Sequence, residues 1–145
     1  MAKTFFTLLT AILLFSCNSN KTEDKGQGTN ALSKYKYATL NAGIDYDGTT
    51  LFMDGIYDAF NNSDIELLGE HAVREMTDEQ TDSMLVVKMS IAGETADSII
   101  TVNLLDYKTQ EIKVSCKSEF GGQSKNGFKE AVDEIKNEIS NTLKK

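Results

Sequence analysis

The signatures of several enzyme and nucleic-acid-binding classes are missing from this 145-residue chain. It contains no Gly-x-Ser-x-Gly nucleophile motif, no P-loop and no dinucleotide-binding fingerprint. His71 is the only histidine and no pair of cysteines accompanies it, so we expect no bound metal and no cofactor. The formal net charge is −7 and lysine and arginine form no local cluster, which argues against nucleic acid as a partner.

The sequence also lacks an apolar run long enough to cross a bilayer. Its most hydrophobic stretch extends from Phe5 to Phe15, which is shorter than the ~20 apolar residues that a membrane-spanning helix needs. The stretch follows the positively charged Lys3. A basic residue followed by a short apolar run is typical of an export signal.

The end of this run, Leu14-Phe15-Ser16-Cys17, resembles the lipobox of bacterial lipoproteins, where the cysteine is acylated before the signal is cleaved. The resemblance implies a signal peptide at residues 1–16 and a palmitate-bearing amino terminus at Cys17. Two or more acyl chains anchor a protein stably, whereas one chain binds a membrane only marginally. The alternative is an ordinary secretory signal that happens to end at a cysteine.

Cysteine occurs only twice, and lipidation of Cys17 would leave Cys116 without a partner in the chain. We therefore expect no structural disulfide. Cys116 alternates with Ile112 and Val114 in a strand-like pattern, so we interpret it as a small buried hydrophobic residue. The alternative interpretation is a reactive thiol.

Residues 18–30 contain no apolar residue and cannot bury a core of their own. We predict that residues 17–30 comprise the lipidated cysteine and a flexible tether, with a root-mean-square reach on the order of 20 Å. The pair Asn18-Ser19 lacks the aspartate that retains lipoproteins in the inner membrane under Gram-negative sorting rules. That resemblance implies an outer-membrane protein that faces the periplasm or the cell surface.

Residues 31–145 show the periodicities of one globular α+β domain. The expected order is strand, helix, strand, short helix, three-strand meander and closing helix. It predicts a single mixed sheet of about five strands, with the two main helices on one face and the other face partly open. The first four predicted elements are a strand over 37–44, a helix from Thr49 or Thr50 to Phe60, a strand over 65–73 and a capped helix over 77–82. The three strands of the meander have the inward residues Leu85/Val87/Met89/Ile91, Ile100/Val102/Leu104 and Ile112/Val114/Cys116. The closing helix begins near Ser124 or Asn126 and has the apolar stripe Phe128, Val132, Ile135, Ile139 and Leu143.

The segment Val102 to Ile112, followed by Ser118 to Gly122 and the closing helix, resembles a segment of envelope lipoproteins. In that fold group a strand ends in an Asp-x-x-Thr-Gly-Glu-like turn. The group includes the penicillin-binding-protein activator lipoproteins, the curli secretion-channel lipoprotein and the amino-terminal domain of TolB. Gln110 replaces the glycine of the turn, and residues other than glycine disfavour φ > 0. Members bind other envelope proteins, so the resemblance implies a binding role.

Other candidate site residues have structural interpretations that we favour. His71 lies in a strand pattern and is expected to be a partly buried structural residue. The segment 45–48 resembles the start of a calcium loop, but its glycine comes too early, so we predict a turn. The carboxylates could supply an acid/base pair but are more typical of solvated or capping positions, and the tyrosines could seat a ligand. These carboxylates are Glu66, Glu70, Glu75, Asp78, Glu79 and Asp82, and the tyrosines are Tyr35, Tyr37, Tyr46, Tyr57 and Tyr107.

The sequence thus predicts a non-enzymatic, lipid-anchored cell-envelope protein with no catalytic residues. We expect a protein-binding module, or an assembly module that associates with copies of itself. The membrane is contacted through the lipid on Cys17. The alternative is a lipoprotein that binds a small ligand or inhibits an enzyme.

Overall fold

The computed structural model describes residues 31–41, 49–94, 97–121 and 125–144. The predicted signal peptide, Cys17, the tether and the turn at 45–48 lie outside these ranges. No helix within them is long and apolar enough to cross a membrane. The elements in chain order are β1 Tyr37–Asn41, α1 Thr49–Asn61, β2 Glu66–Leu68, α2 Glu70–Arg74, α3 Asp78–Thr81, β3 Met84–Glu94, β4 Asp97–Asp106, β5 Ile112–Gly121 and α4 Lys125–Leu143.

The five strands form one mixed sheet in the order β2-β1-β3-β4-β5. β1 runs parallel to both β2 and β3, whereas β3, β4 and β5 form an antiparallel meander. The predicted α+β class, the five-strand mixed sheet and the meander are therefore confirmed.

One face of the sheet carries the core and both long helices. Alternate strand residues such as Ala38, Val87 and Val102 are fully buried on this face, in one cluster with residues of α1 and α4. The predicted stripe of α4 is confirmed, because Phe128, Val132, Ile135, Ile139 and Leu143 are all buried. Gly55 allows the two helices to approach closely, since a Cβ atom there would lie 3.0 Å from Cγ1 of Val132.

The opposite face of the sheet has no long helix over it in the described residues. The register places Thr39, Val86, Lys88, Asn103 and Leu105 on this face. Val86 and Leu105 are buried there, whereas Lys88 and Asn103 are half-buried. The prediction of a partly open second face is consistent with this arrangement, and we call it the open face.

The second strand is much shorter than the sequence pattern indicated. β2 ends at Leu68, and Gly69 in extended conformation precedes the helix α2. The prediction that His71 is a partly buried strand residue is wrong, because His71 lies on α2 and its side chain is 90% exposed. The spacing of Glu70 and Arg74 favours helix α2, because side chains four residues apart lie one helical turn from each other and these two carry opposite charges. The capped helix that follows is confirmed as α3, where Thr77 and Gln80 form a reciprocal capping box.

A β-bulge changes the predicted face of one residue in β5. Leu104 pairs with Val114, but the next residue, Leu105, pairs with Ile112. Because the bulge adds one residue, Ile112 lies on the open face and is 54% exposed instead of pointing inward. Val114 and Cys116 keep the predicted inward orientation, and Cys116 is buried.

Candidate functional site

A cleft of about 540 Å³ lies over the open face. Its floor is made by β1 and β3, one wall by α2 and the other by the turn between β4 and β5. The lining residues are Thr39, Leu40, Asn41, Glu70, Val73, Arg74, Val86, Lys88, Tyr107 and Gln110. The cleft therefore combines apolar side chains with two cations and one carboxylate. Sites for small ligands usually have this mixture and a volume of ~300–1,000 Å³.

Lys88 is the less exposed of the two cations that line the cleft. Its Nζ donates a hydrogen bond of 2.7 Å to Oε1 of Gln110, which is a neutral group. Within the described ranges, no carboxylate lies within ion-pair distance of this ammonium group. Arg74 faces the same cleft, and its guanidinium lies 4.0 Å from Glu70, a loose pair of two exposed side chains.

Gln110 forms the wall opposite α2. Its φ is 58°, so the turn keeps the left-handed conformation that glycine would favour. The backbone N–H of Gln110 donates to the carbonyl of Asp106, and its side-chain Nε2 donates to the carbonyl of Tyr107 at 2.6 Å. These two hydrogen bonds offset the free-energy cost of a positive φ at Gln110, and they direct its side-chain oxygen toward Lys88. The doubt that the sequence raised about this turn is resolved, because the turn forms without glycine.

Asp106 holds the base of this turn. Its carboxylate accepts hydrogen bonds from the Tyr35 hydroxyl at 2.7 Å and from Lys34 Nζ at 2.9 Å. It also accepts the backbone N–H groups of Lys108 and Thr109 at 3.1 and 3.0 Å. Lys34 and Tyr35 lie close to the first described residue, Ala31, so this cluster fixes the start of the domain next to Tyr107, which lines the cleft.

The cluster shifts the acidity of its members. Burial alone would raise the pKa of Asp106, but the Thr109 N–H, Lys34 and Tyr35 outweigh it and hold that pKa well below its usual range. Burial, with the Asp106 contact, raises the pKa of Tyr35 to about 12. Asp106 is therefore a constant negative charge and Tyr35 a constant hydrogen-bond donor at neutral pH. The pair suits a structural role and not proton transfer.

Asn103 neighbours Lys88 across the β3–β4 pair. Its Oδ1 is buried and accepts no hydrogen bond from the described residues. A buried acceptor without a donor costs ~1–3 kcal/mol of stability. The open face thus contains an unsatisfied polar atom on the residue that pairs with Lys88.

The other sequence-predicted site residues lie apart from one another. The six candidate carboxylates are all exposed, and only Glu70 lines the cleft. No group of metal-ligating side chains occurs in the described ranges. Cys116 is buried, and burial followed by the proximity of Glu138 raises the pKa of its thiol to about 12, so at neutral pH it is a protonated core residue.

The tyrosines separate into distinct environments. Tyr35 is buried and not a surface residue, Tyr57 is exposed on α1, and Tyr46 lies outside the described ranges. Of the four candidates within the described ranges, only Tyr107 lines the cleft. Sequence reasoning missed Lys88 and Arg74. One signal was present, since Lys88 is the only charged residue from Met84 to Gly93 in an otherwise apolar strand.

The fold defines the chain as an α+β protein with one mixed sheet. No protein-family model and no curated protein matches the sequence. Solved structures with a similar fold include the PelC dodecamer from Paraburkholderia phytofirmans, at 11% identity and a TM-score of 0.45 over 78% of this chain and 90% of that chain. A minor lipoprotein from Acinetobacter baumannii is 12% identical, with a TM-score of 0.41 over 75% and 92%.

A third structure, from Helicobacter pylori and described as a neuraminyllactose-binding hemagglutinin homologue, is 10% identical, with a TM-score of 0.49 over 84% and 89%. The structural neighbours thus include bacterial lipoproteins. A likeness at these identities and TM-scores assigns neither a function nor a partner to this chain.

Proposed function

We propose that this chain is a non-enzymatic lipoprotein of the cell envelope, anchored through acylated Cys17, that binds an envelope protein through the cleft on its open face. The observation that carries the proposal is the position of the cleft. It lies on the face that no long helix of the described residues covers, and its Tyr107 directly follows Asp106, to which Lys34 and Tyr35 are hydrogen-bonded.

If the predicted tether is present, the bond between the start of the domain and Asp106 supports a position of the cleft near the membrane. A flexible segment of this length has a reach on the order of 20 Å, so a partner in or on the same membrane would be within range. The absence of an aspartate after Cys17 supports the outer membrane. The polar and apolar mixture of the cleft suits a partner that dissociates again more than a permanent subunit.

Site-specific photo-crosslinking in living cells tests this proposal. A photoreactive phenylalanine analogue at Tyr107 should crosslink the lipoprotein to one defined envelope protein. The same analogue at Tyr57, which is 42% exposed on α1, is the matched control and should give no such product. Equal crosslinking from both positions, or none from Tyr107, would contradict a protein-binding role for the cleft.

A second candidate function is the binding of a small ligand, and the volume of the cleft and its half-buried Lys88 favour it specifically. In that case Tyr107 gives no protein crosslink, and a ligand raises the melting temperature of the purified protein. Replacement of Lys88 would then remove the stabilisation. These results separate the two functions.

A further inference from the structure

We propose that the cleft binds a carboxylate group carried on an apolar body, and that the ammonium group of Lys88 is its charge partner. This inference rests on the proposed function, because it names the chemistry that the same cleft recognises. The carboxylate could belong to a small organic acid or to the end of a polypeptide, and the experiment below distinguishes these sources.

The first argument is the pairing of lysines in this acidic chain. Four other lysines each contact a carboxylate. Among the unpaired lysine side chains that the structure describes, only Lys88 is half-buried, and it contacts a neutral amide oxygen. A half-buried cation whose partner is neutral can accept an anion without first losing an ion pair. The four paired lysines are Lys34, Lys108, Lys113 and Lys136.

The second argument is the exchange that a ligand would make at Lys88. Hydrogen bonds between two charged groups are shorter and roughly twice as strong as neutral ones. A carboxylate should therefore displace the Gln110 amide oxygen from Nζ. Gln110 retains its bond from Nε2 to the Tyr107 carbonyl, so the turn does not depend on the contact that is lost.

The third argument is the rest of the lining, which favours an organic anion over an inorganic one. Val73, Val86 and Tyr107 supply apolar surface around the cation. Arg74 adds a second positive group, and its loose contact with Glu70 at 4.0 Å leaves the guanidinium able to turn inward. Glu70 itself repels a second anionic group, so a single carboxylate fits better than a phosphate.

The test uses the full mature chain with Cys17→Ser, which removes the lipid and hence the need for detergent. Two matched pairs of probes are titrated: hexanoate with hexanamide, and N-acetyl-leucyl-valine with its carboxamide. Backbone amide resonances of Thr39, Asn41 and Lys88 report binding by NMR. The two carboxylates should shift them saturably and the two amides should not.

The variant Lys88→Met should weaken carboxylate binding by about tenfold or more, since hydrogen bonds to charged groups contribute ~1.5–3 kcal/mol. The matched control is Lys117→Met, which removes the same charge from the same sheet face on β5 and should leave the affinity within about twofold. Lys88→Gln serves as a second variant if the methionine variant fails to fold. Preference for the dipeptide indicates a polypeptide end, and preference for hexanoate indicates a small acid.

Equal shifts from the amides, or unchanged affinity in the Lys88 variants, would overturn the proposal. The crosslinking at Tyr107 does not depend on these probes. A protein partner could therefore be found there while the carboxylate chemistry fails, which keeps the two proposals distinguishable.

Discussion

Replacing Asp106 with asparagine should lower the free energy of unfolding and release the start of the domain. The carboxamide keeps one oxygen for the Lys108 and Thr109 N–H groups, but its nitrogen cannot accept the Tyr35 hydroxyl. Loss of a hydrogen bond to a buried charged group costs ~1.5–3 kcal/mol. Lys34 is 57% exposed, so its ion pair adds only ~0–1 kcal/mol. We expect a total of about 2–3 kcal/mol for Asp106→Asn.

The same carboxylate predicts a pH dependence with a definite sign. Its pKa is lowered by folding, so its contribution to stability is complete above the unfolded pKa of ~3.9 and is lost as pH falls through the folded value. The difference between the parent and Asp106→Asn should therefore be constant from about pH 7 to about pH 5 and should shrink below about pH 4.

Urea unfolding followed by circular dichroism measures both effects. Asp54→Asn, an exposed position on α1, is the control and should change stability by less than about 0.5 kcal/mol. A cycle with Tyr35→Phe should show coupling between the two residues. A cost below about 0.5 kcal/mol for Asp106→Asn, or a difference that does not shrink in acid, would refute the assigned role.

Four further predictions concern the anchor, the core and the cleft. Cys17→Ser should abolish palmitate labelling and release the protein from the membrane fraction; retained labelling would contradict lipidation. Ile135→Asp should destabilise the domain by at least about 4 kcal/mol because Ile135 is 1% exposed, whereas Lys129→Gln on the solvated side should be nearly silent in the same denaturation assay. Gln110→Gly should be more stable than Gln110→Ala by about 1 kcal/mol, since only glycine avoids the penalty at φ 58°, and the reverse order would be inconsistent with the turn. Asn103→Leu should leave stability unchanged or raise it by about 1 kcal/mol, and a clear loss in urea unfolding would indicate that Oδ1 has a partner.

One detail of α4 corrects the simplest interpretation of its polar face. The periodicity places Glu134 among the solvated residues, and its side chain is indeed exposed. Yet it accepts a hydrogen bond from Ser118 Oγ at 2.5 Å, which ties α4 to β5. Solvent exposure and a structural contact therefore coexist at this residue.

Local patterns in the sequence determined most of the fold. The spacing of apolar residues every three or four positions placed α4, and alternation placed the inward residues of β3 and β4, because each pattern reflects one dominant burial direction. The predicted export signal and the lipobox resemblance, which lie outside the described residues, also depend only on adjacent residues. Those features could be derived from the sequence because they do not require knowledge of any distant contact.

The tertiary structure alone decided the features that depend on distant residues. The bulge that turns Ile112 outward is set by pairing with β4, and the burial of Tyr35 is set by Asp106, which lies 71 residues away. The cleft arises where β1, β3, α2 and the β4–β5 turn converge. Lys88 was not among the candidate site residues that the sequence suggested. Only the fold showed that the Lys88 ammonium group contacts the neutral Gln110 amide in a cleft. The sequence could not predict this contact, because a contact between two separate elements produces no periodic pattern of residues along the chain.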